Sequence, residues 1–134
     1  ASQLGKLGRF IARRRALAAR YDLQLSTLAP LLKPLARTRP CLPAWHLYVA
    51  RIDFAAAGIS RAQLMSALAA DGIGTQVHYY PVHRQPYYAK RYDTPPLAGA
   101  ERYYERALSL PLFASMTDAD VTRVVEALSR HLGF

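Results

Sequence analysis

The chain has 134 residues, enough for one domain with a modest core, and its hydrophobic fraction of 51% argues against disorder. No apolar run reaches the roughly 18–20 residues of a membrane span, and the start lacks a signal-peptide layout, so a soluble protein with no membrane partner is expected. The formal charge of +9 keeps anionic partners in view. That excess is local. Lys6, Arg9, Arg13, Arg14, Arg15, Arg20, Lys33, Arg37 and Arg39 precede residue 46 against one acid, Asp22, while the remainder is nearly balanced. Cys41, the one cysteine, excludes an internal disulfide and fits a reducing, cytoplasmic setting. The chain lacks an initiator Met and opens inside a helical pattern, which predicts a piece cut from a longer protein.

In chain order, Leu4, Leu7, Ile11, Ala18 and Tyr21 recur at a spacing near 3.6, so residues 2–25 read as a long helix. Arg13, Arg14 and Arg15 lie mainly off that stripe and read as a solvated face. Pro30, Pro34, Pro40 and Pro43 forbid a continuous helix over residues 30–45 and mark a connecting segment. Residues 45–54 alternate as a strand. Ser60 caps a helix from Arg61 to Asp71 that Gly72 ends. Thr75 to Tyr80 reads as a second strand, closed by Pro81. Tyr87 to Tyr92 suits one helical turn. Ala98 to Ala107 reads as a helix, with Glu101, Arg102, Glu105 and Arg106 at pairing distance along it. Leu108 to Leu112 is a short strand that Pro111 assigns to an edge. Thr117 caps a last helix, Asp118 to Leu132. Few, short strands exclude a doubly wound sheet. They predict an α+β fold, with a small antiparallel sheet of about three strands packed by helices. The division expected is a bridging helix and Pro-rich linker over 1–45, followed by a small domain over 46–134.

Chemistry concentrates in residues 76–88, which hold Tyr79, Tyr80, Tyr87, Tyr88, His78, His83, Pro81 and Pro86. A core strand needs no such density of polar-tipped rings, whereas a wall gripping a hydroxyl-rich, phosphate-bearing ligand does. Gly72-Ile73-Gly74 is no dinucleotide fingerprint, because Val77 stands where the third glycine belongs. No phosphate loop of the GxxxxGK type occurs. His46, His78 and His83 lack carboxylate or thiolate partners at zinc-site spacing, so no metal is expected. No serine or cysteine stands in a nucleophile setting.

Several segments in this order resemble one family. They are Phe10 to Arg15, Ala19-Arg20-Tyr21, His46 to Val49, Gly74 to His83, Gln85 to Tyr88, Leu108 to Leu112 and Met116-Thr117-Asp118. Together they look like the C-terminal part of the DegT/DnrJ/StrS sugar aminotransferases, and the likeness covers nearly the whole chain. The run from His78 to Tyr88 is most similar to the transaminases of the pseudaminic acid pathway. Those use pyridoxal phosphate and glutamate to aminate a UDP-linked 4-keto-6-deoxy-hexose. The resemblance implies the small domain of a fold-type I enzyme, preceded by a bridging helix and acting as a cytoplasmic homodimer when full-length. It also implies that the N-terminal domain, which carries the cofactor lysine, is missing. Lys6, Lys33 and Lys90 match none of the family's lysine context, so no catalytic residue and no bound cofactor are expected here.

Matched position by position, the resemblance places Gln76, Val77, His78 and Tyr79 against the nucleotide-sugar, with Tyr80 and His83 as further candidates for substrate binding. Strand alternation puts His78 and Tyr80 on one face and Tyr79 on the other, so the strand must end for all three to meet one ligand. Two alternatives stand beside this reading. One is a nucleic-acid-binding module using the basic first helix, although that helix lies far in sequence from the tyrosines. The other is a sensory, non-catalytic family member.

Overall fold

A computed structural model describes residues 2–37 and 41–134. Pro40 of the predicted connecting segment lies outside the described residues. After a short 3₁₀ turn, helix α1 runs Leu7–Leu25. Strands β1 (Leu32–Pro34) and β2 (Tyr48–Ile52) follow, then helix α2 (Arg61–Ala70). A 3₁₀ turn at Val82–Arg84 leads into the short helix α3 (Pro86–Arg91). Helix α4 (Ala98–Arg106), strand β3 (Ala107–Leu110) and helix α5 (Asp118–Leu132) complete the chain. The sheet is antiparallel in the order β1-β2-β3, the α+β arrangement expected.

The register explains the core. Ile52 faces Leu32, Ala50 faces Leu108 and Tyr48 faces Leu110, so one side of the sheet is apolar. Leu17, Ala18, Tyr21 and Leu25 of α1, Leu64 and Leu68 of α2, and Val121, Val124 and Leu128 of α5 bury against that side. The other side carries Val49, Arg51, Ala107 and Ser109. Arg51 shares a cavity with Gly99, Arg102 and Tyr103 of α4, so helices flank both faces. The predicted stripe of α1 is therefore buried only towards its C-terminal end. Leu4 and Leu7 are exposed, and the start of the helix projects beyond the core.

Local signals set the helix ends. Ser60 accepts from the Gln63 backbone N–H while the Gln63 side chain reaches back, a capping box. Thr117 and Asp120 form a second one. Gly72 ends α2 at φ +74°, a backbone region that favours glycine.

Three expectations need correction. Residues 32–34, read as connecting segment, form the edge strand β1; Pro34 sits at its end, where a missing N–H breaks no internal ladder. The predicted strand from Thr75 to Tyr80 reduces to one bridge, Gln76 with Ser109, with N···O distances of 3.1 and 2.8 Å. Pro81 removes a donor, and the ring side chains find partners on β3 and α4. Of the arginines read as a solvated face, Arg13 and Arg14 are half-buried and only Arg15 is exposed, and all three make hydrogen bonds. Arg13 Nε and Nη2 donate to the Met116 carbonyl at 3.1 and 2.7 Å, and Asp118 pairs with Arg13 and Arg20. Arg14 donates to the Trp45 carbonyl, and Arg15 to those of Pro43 and Leu42. These contacts tie α1 to the start of α5 and to the approach to β2.

Asp71, at the end of α2, meets α5 through charge. Its Oδ2 lies 2.8 Å from His131 Nε2 and 3.0 Å from Arg130 Nη2. The hydrogen bond from His131, aided by Arg130, holds the Asp71 carboxyl below the usual carboxylate range. A depressed carboxyl contributes stability that is complete above its unfolded pKa and lost as pH falls through the folded one. Stability is expected to decline below about pH 4, and Asp71→Asn should flatten that decline. Urea unfolding followed from about pH 2 to 6 measures this, and identical acid limbs in both proteins would contradict it.

Candidate functional site

The segment from Gln76 to Arg84 leaves the sheet at β3 and is pinned from two sides. Gln76 is bonded to Ser109 through both backbone groups. Two residues on, His78 Nδ1 lies 2.8 Å from Ser109 Oγ, so one serine holds the chain by backbone and side chain. Among the described residues Ser109 is the one buried polar residue, on the sheet side away from the main core, and His78 meets the hydroxyl that would otherwise lack a partner there. Tyr103 of α4 donates to the His78 carbonyl at 3.2 Å, and burial raises the pKa of its hydroxyl, which favours the donating form. The His78–Tyr79 peptide bond is cis.

Beyond it, α4 is the anchor. Glu101 Oε1 lies 2.7 Å from His83 Nε2, and Oε2 accepts from Arg84 Nη1 at 3.0 Å. Tyr80 packs edge-on against Tyr104 at 5.4 Å, with Arg84 over its other side. Arg61 of α2 stacks on Tyr104 and donates to its carbonyl. Glu101 and Arg106, expected to pair along their own helix, instead reach His83 with Arg84 and Asp53 respectively.

The predicted residues thus separate by role. Gln76, Val77, His78 and Tyr79 form one continuous stretch at the sheet edge. His83 turns inward to α4, its side chain only 13% exposed, whereas Tyr80 packs on Tyr104 and stays 39% exposed. Tyr79 is 70% exposed, with its ring edge-on to His78 at 4.7 Å. Nδ1 of His78 is taken by Ser109, and among the described residues its Nε2 has no hydrogen-bond partner. The stretch therefore offers a phenol and an imidazole nitrogen on a backbone fixed at both ends, which suits directed hydrogen bonds to a polar ligand.

Sequence reasoning missed Ser109, Tyr103 and Glu101 as the supports. Ser109, a small polar residue inside an apolar strand, was the available signal. Among the described residues, no group of three or more His, Cys, Asp or Glu side chains could hold a metal ion. No helix there is long and apolar enough to cross a membrane.

Comparison with known proteins bears on this site. The model of the DegT/DnrJ/EryC1/StrS aminotransferase family matches residues 1–129. Helicobacter pylori PseC, an aminotransferase of pseudaminic acid biosynthesis, superposes with a TM-score of 0.87 at 26% identity, over 98% of this chain and 35% of that one. DesI, solved with its TDP-sugar product, gives 0.84 at 30% identity over 96% and 33%. Spr1654 of Streptococcus pneumoniae in its PLP-form gives 0.84 at 26% over 98% and 33%. The chain spans about a third of the length of each of these structures.

Removing the latch on α4 should loosen the segment without melting the core. Glu101→Ala leaves the partly buried His83 without its partner, at a cost of roughly 1–3 kcal/mol. Amide exchange over residues 80–92 should quicken while that of β2 and α5 holds. Unchanged protection in the segment would remove α4 as its support.

Proposed function

The chain belongs to the DegT/DnrJ/EryC1/StrS aminotransferase family, and on that premise we propose that it is the small-domain part of a longer, pyridoxal phosphate-dependent nucleotide-sugar aminotransferase. The observation that carries this reading is Tyr79. It is a large ring, mostly exposed, on a segment held by Ser109, Tyr103 and Glu101. A side chain kept both rigid and exposed loses little entropy on binding. In this role Gln76, Val77, His78 and Tyr79 contact the nucleotide-sugar, and Tyr80 and His83 position them.

The chain does not fit the cofactor by itself. Pyridoxal phosphate needs a lysine against its carbonyl carbon and donors around its phosphate. Lys6, Lys33 and Lys90 are exposed and lie on three separate elements. Lys33 lines a cavity of only about 140 Å³. The lysine and the phosphate cradle are therefore assigned to a preceding domain, which the projecting start of α1 would join. Residues 1–134 alone should show no transaminase activity. The substrate proposed is a UDP-linked 4-keto-6-deoxy sugar with glutamate as donor, as the resemblance of residues 78–88 implies; the likeness to PseC supports amino-sugar biosynthesis, and the TDP-sugar seen with DesI makes a TDP-linked sugar the alternative. A cytoplasmic homodimer completes the proposal. If the longer protein lacks the cofactor lysine, the sensory reading replaces it.

Tyr79→Phe in that longer protein should raise KM for the sugar nucleotide about tenfold, the effect of one lost hydrogen bond to a charged group. Absorbance of the bound cofactor and KM for the amino donor should stay the same. An unchanged sugar KM in a folded variant would remove Tyr79 from the substrate site.

A further inference from the structure

The arginines of this chain are almost all engaged. Arg13, Arg14, Arg15 and Arg20 of α1 hold carbonyls or carboxylates, Arg61, Arg84, Arg106, Arg123 and Arg130 have hydrogen bonds or ion pairs, and Arg9 and Arg91 lie over aromatic rings. Among the described residues, Arg51 and Arg102 alone have no hydrogen bond, ion pair or ring contact. Both line the same cavity of about 640 Å³, on the sheet face away from the main core. Arg106 lines it too, partly committed to Asp53 at 2.8 Å. Arg51 Nε is buried there with no hydrogen-bond partner. Arg14 Nε and Arg20 Nε are buried without a partner too, so what sets this cavity apart is that the guanidinium groups of Arg51 and Arg102 have no other commitment among the described residues.

We infer that this cavity is a binding site for a phosphate-bearing anion, distinct from the stretch Gln76–Tyr79. Guanidinium forks match phosphate oxygens in shape and charge. Arg51 enters from β2 and Arg102 from α4, so the two cations are supplied by two elements that the fold already fixes. Glu105 is the one carboxylate in the lining, which leaves an excess of positive charge suited to a multiply charged ligand. The volume falls within the usual range for small-molecule sites, roughly 300–1,000 Å³. Tyr103 contributes an aromatic wall, and its hydroxyl holds the His78 carbonyl. The cavity thus backs onto the pinned segment without including it.

The test is calorimetric titration of the chain with inorganic pyrophosphate at low ionic strength, where screening is weakest. Arg102→Gln, at an exposed position, should keep the fold and weaken binding about tenfold, and Arg51→Gln should do the same. Arg9→Gln removes an equal charge from the start of α1 and should leave affinity within about twofold, which separates a site from general attraction. A nucleoside diphosphate binding more tightly than pyrophosphate would identify a nucleotide as the source, and equal affinities would identify the free diphosphate. Three results would overturn the site: no binding up to about 10 mM, equal affinity in folded Arg102→Gln and Arg51→Gln, or an Arg9→Gln loss as large as theirs.

Discussion

Tyr21 and Tyr48 stack at 4.7 Å with an interplanar angle of 28°, and neither ring has meaningful access to water. One belongs to the first helix and the other to the central strand. Their contact sets where α1 lies across the sheet, and the remaining core is arranged around it. Each hydroxyl is satisfied inside the protein: Tyr48 donates to Asp22 at 2.8 Å and Tyr21 to the Pro111 carbonyl at 3.1 Å. Burial raises both phenolic pKa values, which favours the neutral, donating form of each hydroxyl. A phenylalanine in either place would keep most of the apolar contact but lose this hydrogen bond, although Asp22 would keep its ion pair with Arg37.

The arginines of α1 act on the same geometry from outside the core. Arg13 closes on the carbonyl just before α5, and Asp118 in the first turn of that helix receives two guanidinium groups. A carboxylate at a helix start is favourable in its own right, and here it also fastens one helix to another. Exposed ion pairs contribute little each, so their weight lies in orientation more than in stability. Much of the positive charge that first suggests nucleic acid is thus occupied within the fold.

What the sequence disclosed follows the range of each signal. Ser60 with Gln63 and Thr117 with Asp120 announce helix starts three residues apart, and both capping boxes form. Strand β1 was illegible because three residues ending in proline carry no usable alternation, and it exists only through pairing with β2 across the chain. The second predicted strand failed for the opposite reason. Its pattern suits a strand, but Ser109 and Tyr104 capture the side chains of His78 and Tyr80, and Tyr103 takes the His78 carbonyl that a ladder would use. The density of rings at residues 76–88 was visible directly. Their division into an exposed Tyr79 and an inward His83 was not, since the partners lie 31 and 25 residues from His78 and 18 from His83.

The single bridge between Gln76 and Ser109 has a further consequence, for solubility. A sheet of three short strands has two rims, and an open rim is a template for strands of other molecules. On the β3 side, Gln76 occupies both backbone groups of Ser109. On the β1 side, the strand is three residues long, with exposed Lys33 in its middle and Pro34 at its end. Neither rim presents a long, flat, apolar ladder. The residue that begins the stretch proposed to face the ligand therefore also guards the sheet against growth by aggregation.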